Sequence, residues 1–321
     1  MSEKPKISII TPSKNTGRFV RETIESIRAQ TYENWEHIVI DGVSTDGTLD
    51  ILRKYPHLRW ISEEDGKDDP FKKGFAMARG EYVMFCAFSD GYLDKNWFKK
   101  CVEVLDSQRE ISLVWGIDQN MLENGTLYSI DCNSWFENPP PDEKDYIYHW
   151  LKTCKLFHER DFCVRKNIVN ECYPSSGSWT SGFRTFAYNF NTLGYLPHLI
   201  QTVAAYGRQH RDALSRKDAI NGDEERSGRK YYSDVKKYGE KIVKGEIEHR
   251  YRDGSGNILP DKFNLKEFLE LNNESKFDKV IKGLIPPIFI WFKNKLLARY
   301  RVYKNMKKIR EDLTNHMKGV K

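Results

Sequence analysis

The chain has 321 residues and a mass of 37.8 kDa, with 39% hydrophobic and 31% charged residues and a net charge of +6. That balance excludes a disordered chain and a multi-span membrane protein, and leaves one large soluble domain or a domain with appendages. The net charge is local: the segment "KNKLLARYRVYKNMKKIR" (293–310) holds eight basic residues and no acid, and removing those eight from 52 leaves 44 against 46 acids, a net of −2.

The start, "MSEKPKISIITPSKN", passes directly from polar residues into a strand-like run and contains no apolar leader-like stretch. "ISIITP" reads as a buried strand. In "GRFVRETIESIRAQ", Val20, Ile24 and Ile27 fall at i, i+4 and i+7, the spacing of a helix with one apolar face. "EHIVIDG" reads as a strand, "STDGTLDILRKY" as a turn and helix, and "LRWISE" as a strand. "DPFKKGFAMARG" reads as a helix closed by Gly80, and "EYVMFCAF" as the next strand. "LDKNWFKKCVEVLDSQ" follows as a helix for which Asp94 is the expected N-cap. Strands alternating with helices at this spacing predict an α/β, mostly parallel sheet covered on both faces, with ligands outside the carboxyl ends of the strands. "ISLVWGIDQN" and "GTLYSID" read as two further strands, "ENPPPDEKD" as a break, and "RDALSRKDAINGDEERSGRK" as a loop into a helical C-terminal part. The six cysteines are scattered with no C-x-x-C pair, which predicts reduced, buried thiols.

Four stretches, "ISIITPSKN", "HIVIDGVSTDGTLDIL", "ISEEDGKDDPFKKGFAMARGEYVMF" and "SDGYL", resemble in order the motifs of family-two, GT-A-type inverting glycosyltransferases of bacterial surface-glycan assembly. The resemblance spans Ile7 to Leu93 and continues more weakly to Ser215. It implies a GT-A (Rossmann-like) domain over 1–216, with a nucleotide-sugar half at about 1–120 and an acceptor half at about 121–216. A helical extension carrying the basic amphipathic segment would occupy 217–321. The expected activity is transfer of a sugar from a nucleotide-diphosphate donor, uridine-based, to a glycan or lipid-linked glycan.

On that resemblance Thr11 and Asn15 lie beside the nucleoside, Asp41 accepts a hydrogen bond from the base, and Ser44, Asp46 and Gly47 form the turn beneath it. "STDGT" taken alone reads as a helix-capping turn, and within the ordered set of motifs as part of the nucleoside site; the two can coexist. Asp65, Asp69 and Lys73 match the donor-pocket stretch, Asp69 approaching the sugar or ribose and Lys73 offsetting phosphate charge. The stretch departs from the family at Asp68 and Lys72.

The family places acid-x-acid or two adjacent acids after the strand that here ends "FSDG", to hold Mg²⁺ or Mn²⁺ between the donor phosphates. Asp90 falls on the shared acid, with Ser89 contributing a hydroxyl, whereas the partner positions fall on Phe88 and Gly91, which carry no ligand. The general base of an inverting transfer, an Asp or Glu in the family, aligns with Ser178 and Thr180, neither of them competent near neutrality. Glu159, Asp161 and His158 are the substitute base candidates; a surface cluster is the plain alternative for the two acids. "AYGRQHRDALSR" resembles the family's closing segment through Arg208, His210 and Ser215, with Arg208 near the diphosphate and His210 a second metal ligand.

These departures keep open a rival: a catalytically silent GT-A domain that binds nucleotide or glycan as a partner subunit. The C-terminal "LIPPIFIWFKNKLLARYRVYKNMKKIREDL" has too short an apolar run to span a bilayer, which takes ~20 residues. Its basic face with Trp291, Phe292 and Tyr300 suits an anionic membrane surface, and so a cytoplasmic protein peripheral to the inner face of the plasma membrane. No nucleic-acid recognition module is present in the sequence.

Overall fold

A computed structural model of the chain describes residues 4–64, 69–130, 142–154, 160–174, 179–210 and 223–264. The first strand, β1 (Ile7–Ser13), is buried on both faces, as a run of Ile7, Ile9 and Ile10 at 0% exposure requires of a central parallel strand. Helix α1 (Val20–Arg28) buries Val20, Ile24 and Ile27, the stripe its spacing predicts. Then follow β2 (Trp35–Asp41), α2 (Thr48–Leu52), β3 (Leu58–Ser62), α3 (Pro70–Met77), β4 (Tyr82–Phe85) and the short β5 (Gly91–Tyr92). Asp69 caps α3 and Pro70 occupies its first turn, where a missing N–H costs nothing.

Helix α4 (Trp97–Ser107) starts two residues later than expected. Its N-cap is Asn96; Asp94 instead accepts the Asn96 N–H at 2.9 Å and pairs with Lys100 at 2.7 Å. Asp94 thus organises the turn before the helix without being its cap. The second half comprises β6 (Ile111–Leu122), β7 (Leu127–Ile130), a 3₁₀ turn at Glu143–Asp145, α5 (Tyr146–Thr153), β8 (Phe162–Arg165), α6 (Lys166–Cys172), α7 (Trp179–Thr192) and β9 (Leu196–Gln209).

Among the described residues the main sheet has nine strands in the order β3-β2-β1-β4-β8-β6-β9-β5, with β7 hairpinned onto β6. Strands β3, β2, β1 and β4 are mutually parallel; β8 is antiparallel to both β4 and β6; β9 is parallel to β6. Six of the eight strands on that path therefore run the same way, and the carboxyl ends of β1, β2, β4, β6 and β9 face one edge. The chain leaves β1 toward β2 and β3, then returns to β4 on the other side of β1, which opens the crevice where such sheets bind ligands.

The compact unit runs to Leu265, past the boundary expected at 216/217. Helix α8 (Asp223–Val243) packs on α7: Arg184 donates to Ser227 Oγ at 2.7 Å and the Tyr238 hydroxyl to the Thr192 carbonyl at 3.0 Å. Strands β10 (Arg250–Arg252) and β11 (Ile258–Lys262) form a hairpin tied back by Gly254 N–H to the Arg109 carbonyl at 2.9 Å. Residues 223–264 thus belong to the same body as the sheet. Cys86, Cys101, Cys163 and Cys172 are buried free thiols, and Cys154 is a half-buried one. The basic segment at 293–310 and Cys132 lie outside the described residues.

Candidate active site

The loops after β1 and β2 are knitted into one surface. Asn15, in the left-handed region at φ 52°, donates its N–H to Ser44 Oγ at 2.7 Å, and its side-chain oxygen accepts the Thr45 N–H at 2.8 Å. Asn tolerates that conformation because its short polar side chain bonds locally. Asp41 is wholly buried and accepts the Ser44 N–H at 2.9 Å, the Ser44 hydroxyl at 2.6 Å and the Ser62 hydroxyl at 2.8 Å. Three of its roughly four lone-pair positions are thereby filled from the protein.

Asp46 accepts the Gly17 N–H at 2.8 Å and both the N–H and hydroxyl of Thr48. Burial pushes its carboxyl up, but those donors outweigh it and hold the group below the usual carboxylate range. "STDGT" is therefore an Asp46-centred turn leading into α2, whose N-cap is Gly47 without a side-chain cap bond, and it locks the two loops together. Thr11, expected beside the nucleoside, is instead fully buried, with Oγ1 sharing a 2.8 Å hydrogen bond with His37 Nε2. It supports the floor of the site from within the core.

On the next element, Asp69 accepts the Phe71 N–H at 2.9 Å and the Tyr173 hydroxyl at 2.6 Å. Burial raises its carboxyl above the ordinary value, and the two donors offset that only in part. Lys73 pairs with Glu63 at 2.6 Å at the start of the stretch that contains Asp65. Asp65 itself, like Glu159 and His158, lies outside the described residues.

The turn after β4 carries the densest charge. Ser89 holds a φ of 154°, rarely adopted by L-residues, and its hydroxyl lies 3.4 Å from Asp90 Oδ1. The Asp90 carbonyl accepts the Thr23 hydroxyl at 2.6 Å, its Oδ1 accepts the Arg208 N–H at 3.1 Å, and its Oδ2 lies 3.6 Å from Arg160 Nη1. Arg160 in turn donates from Nε at 2.7 Å to Asp118 Oδ2, which also lies 2.5 Å from its Nη2. Asp118 is 1% exposed on β6.

Arg160 and Asp118 were missed in the sequence. The available signal was a lone acid inside the apolar strand "ISLVWGIDQN", which burial obliges to find a cation. Arg208 wraps the same turn, donating from Nε to the Ser89 carbonyl at 3.2 Å and from Nη1 to the Glu123 carbonyl at 3.1 Å, with Nη2 at 2.5 Å from Glu22. Its guanidinium is thus aimed at the protein.

Two expectations meet obstacles. Asp161 is 3% exposed, with its charge felt by the buried phenols of Tyr92 and Tyr146, so it sits in the interior and not on an acceptor-facing surface. His210 packs at a tilt against Phe19, with ring centroids 5.0 Å apart, and among the described residues no group of three His, Cys, Asp or Glu side chains could hold a metal ion. The family's second acid has no room here either. Phe88 is buried in a cluster with Val20, Ile24 and Val39, and a Cβ on Gly91 would lie 2.6 Å from the Tyr206 hydroxyl and 2.7 Å from Ser26 Oγ. Among the described residues the turn thus offers Asp90 as its carboxylate, already facing Arg160, with no second acid at Phe88 or Gly91.

A mostly parallel sheet flanked by helices, with its loops gathered at the carboxyl edge, is the architecture of a GT-A-type domain. Residues 8–210 match glycosyl transferase family 2, and the chain belongs to that family. It is 22% identical over 288 residues to glycosyltransferase GlyG of Streptococcus pneumoniae, covering 87% of this chain and 82% of that one. TuaG of Bacillus subtilis, a glycosyltransferase named for teichuronic acid biosynthesis, is 37% identical over 106 residues, 31% of this chain and 40% of TuaG. Rv1514c of Mycobacterium tuberculosis is 33% identical over 126 residues, 38% of this chain and 48% of that one. The matches thus span about half or less of those two curated relatives. The crystal structure of S. aureus TarS 1–349 in complex with UDP-GlcNAc superposes with a TM-score of 0.55 at 19% identity, over 71% of this chain and 66% of that one, a likeness of fold.

Proposed function

We propose that the chain transfers a sugar from a nucleotide-diphosphate donor, uridine-based, to a glycan or lipid-linked glycan acceptor, by direct displacement with inversion. The observation that carries this reading is the single edge formed by the Asn15–Ser44–Asp41 lock and the Asp90 turn. A base-reading pocket and a charged leaving-group pocket at one crevice are what a nucleotide-sugar donor requires. In such a transfer the largest contribution comes from fixed charges and dipoles aimed at the departing diphosphate.

The base that takes the acceptor proton is assigned to the acceptor-side loop, to Glu159 or His158, since Asp161 is closed into the interior. The basic segment 293–310 is read as the contact with an anionic membrane surface on which a lipid-linked acceptor would lie.

The test is incubation of the full chain with a panel of UDP-, GDP- and dTDP-sugars and lipid-linked glycan acceptors, with the anomeric configuration of the product read by NMR. An inverted glycoside from a UDP-sugar supports the reading, and a retained configuration refutes the direct displacement. Tight nucleotide binding without any transfer would instead support the silent binding subunit.

A further inference from the structure

We propose that Arg160 is the built-in cation of the donor site, so that a nucleotide diphosphate binds there without a divalent metal. The proposal rests on the transferase reading, because it takes the Asp90 turn to face the diphosphate.

The guanidinium stands between two carboxylates, one on β6 and one on the turn after β4, with Nε 2.7 Å from Asp118 Oδ2 and Nη1 3.6 Å from Asp90 Oδ2. A metal ion bridging those two acids would need the same volume. Asp118, at 1% exposure, must keep a cation beside it, because a buried carboxylate without one bears the full cost of lost hydration. Arg160 is therefore held by a partner that cannot release it cheaply. Room for it is reserved on β9, where a Cβ on Gly207 would fall on the guanidinium carbon and lie 2.5 Å from Nη2. The other oxygen of Asp90 is directed as well, since it accepts the Arg208 N–H at 3.1 Å.

A divalent ion placed on Asp90 would have to displace the Arg160 guanidinium, which already lies 3.6 Å from Asp90 Oδ2. The second acid that could strengthen such a site is excluded at Gly91 by Tyr206 and Ser26, and at Phe88 by the core. A guanidinium, in contrast, is charged at every accessible pH and carries five N–H donors, so that with Nε and Nη2 on Asp118 and Nη1 toward Asp90 it still has N–H bonds on Nη1 and Nη2 to offer phosphate oxygens. Asp90 and Asp118 then act as positioning residues that orient Arg160, and Arg160 is the group that meets the phosphates.

The test is calorimetric titration of the full chain with UDP, GDP and ADP, in EDTA and in Mn²⁺. The proteins are wild type, Arg160→Lys, and the double variant Arg160→Met/Asp118→Asn, which removes both buried charges together; thermal melting checks that each folds. The expected result is a wild-type affinity for the preferred nucleotide that changes by less than about twofold between EDTA and Mn²⁺, an intermediate loss in Arg160→Lys, and a loss of at least about tenfold in the folded double variant under both conditions. Wild-type binding seen only with Mn²⁺, or a double variant that binds like wild type, overturns the role of Arg160 and leaves the donor site standing. No binding of any nucleotide diphosphate under either condition overturns the donor site itself, and this proposal with it.

Discussion

His37 supplies a quantitative test of how the floor of the candidate site is built. It lies on β2 with no exposed surface, bonded to Thr11 and edge-on to Phe88 at 6.2 Å. Burial pushes its pKa from 6.5 down to about 3, and the His57 charge is a lesser push in the same direction. The unfolded chain takes up this proton near pH 6.5, whereas the folded chain refuses it until about pH 3. Between those values the unfolded state binds more protons, so stability falls as pH drops through 6.5. At about pH 5.5 the unfolded ring is roughly nine-tenths protonated, and the loss is about 1.4 kcal/mol. His249, held down to about 4 by burial alone, adds a similar loss of about 1.4 kcal/mol.

Urea unfolding followed by far-UV circular dichroism at about pH 7.5 and about pH 5.5 should therefore show a fall of about 3 kcal/mol from these two rings. In His37→Gln, a polar side chain still stands beside Thr11 but no longer titrates, and the fall should be about half as large. Carboxylates whose values are lowered on folding, such as Asp46, lose their contribution mainly at lower pH, and they are common to both proteins. Equal losses in wild type and His37→Gln would refute the neutral, buried ring beneath Thr11.

Gly91→Ala should destabilise the fold by about 1–3 kcal/mol through overpacking against the Tyr206 hydroxyl and Ser26, and Gly91→Ala/Tyr206→Phe should recover part of that loss in a double-mutant melting cycle. Asp118→Ala should cost about 3–5 kcal/mol, because it strands the Arg160 guanidinium, while the double variant that removes both charges should melt closer to wild type. Lys307→Glu/Lys308→Glu should lower co-sedimentation with phosphatidylserine vesicles and leave UDP binding in solution unchanged; unaltered sedimentation would refute the membrane reading of the basic segment.

The elements were legible wherever their cause was short-range. The stripe of Val20, Ile24 and Ile27 and the apolar run of β1 are each written within a few residues, and both elements formed as their patterns predict; the helix of "DPFKKGFAMARG" formed too, but it ends at Met77, short of the expected Gly80, whose N–H goes instead to Ser8 Oγ. The turn at "STDGT" was equally visible, because Asp and Gly form turns by their own backbone chemistry, although the helix after it is capped at Gly47 without a side-chain bond. Asp94 marks the limit of that legibility. Its sequence neighbours suit a cap, but the helix begins at Trp97, and the carboxylate went to Lys100 and the Asn96 N–H. That residues 223–264 pack on the main body was not legible for a different reason: α8 joins it through side-chain contacts to α7 that no composition shift announces.

By itself, then, the sequence determined an alternating α/β chain, the edge at which its loops gather, and the family motifs along that edge, since periodicity and turn chemistry act over a handful of residues. Which charges meet there was decided only by the tertiary structure. Asp90 follows β4, Asp118 lies on β6, Arg160 precedes β8 and Gly207 lies on β9, and these strands are neighbours through the order of the sheet and not of the chain. A buried ion cluster forms where strand pairing brings opposite charges out of water together, and that pairing is a property of the whole fold.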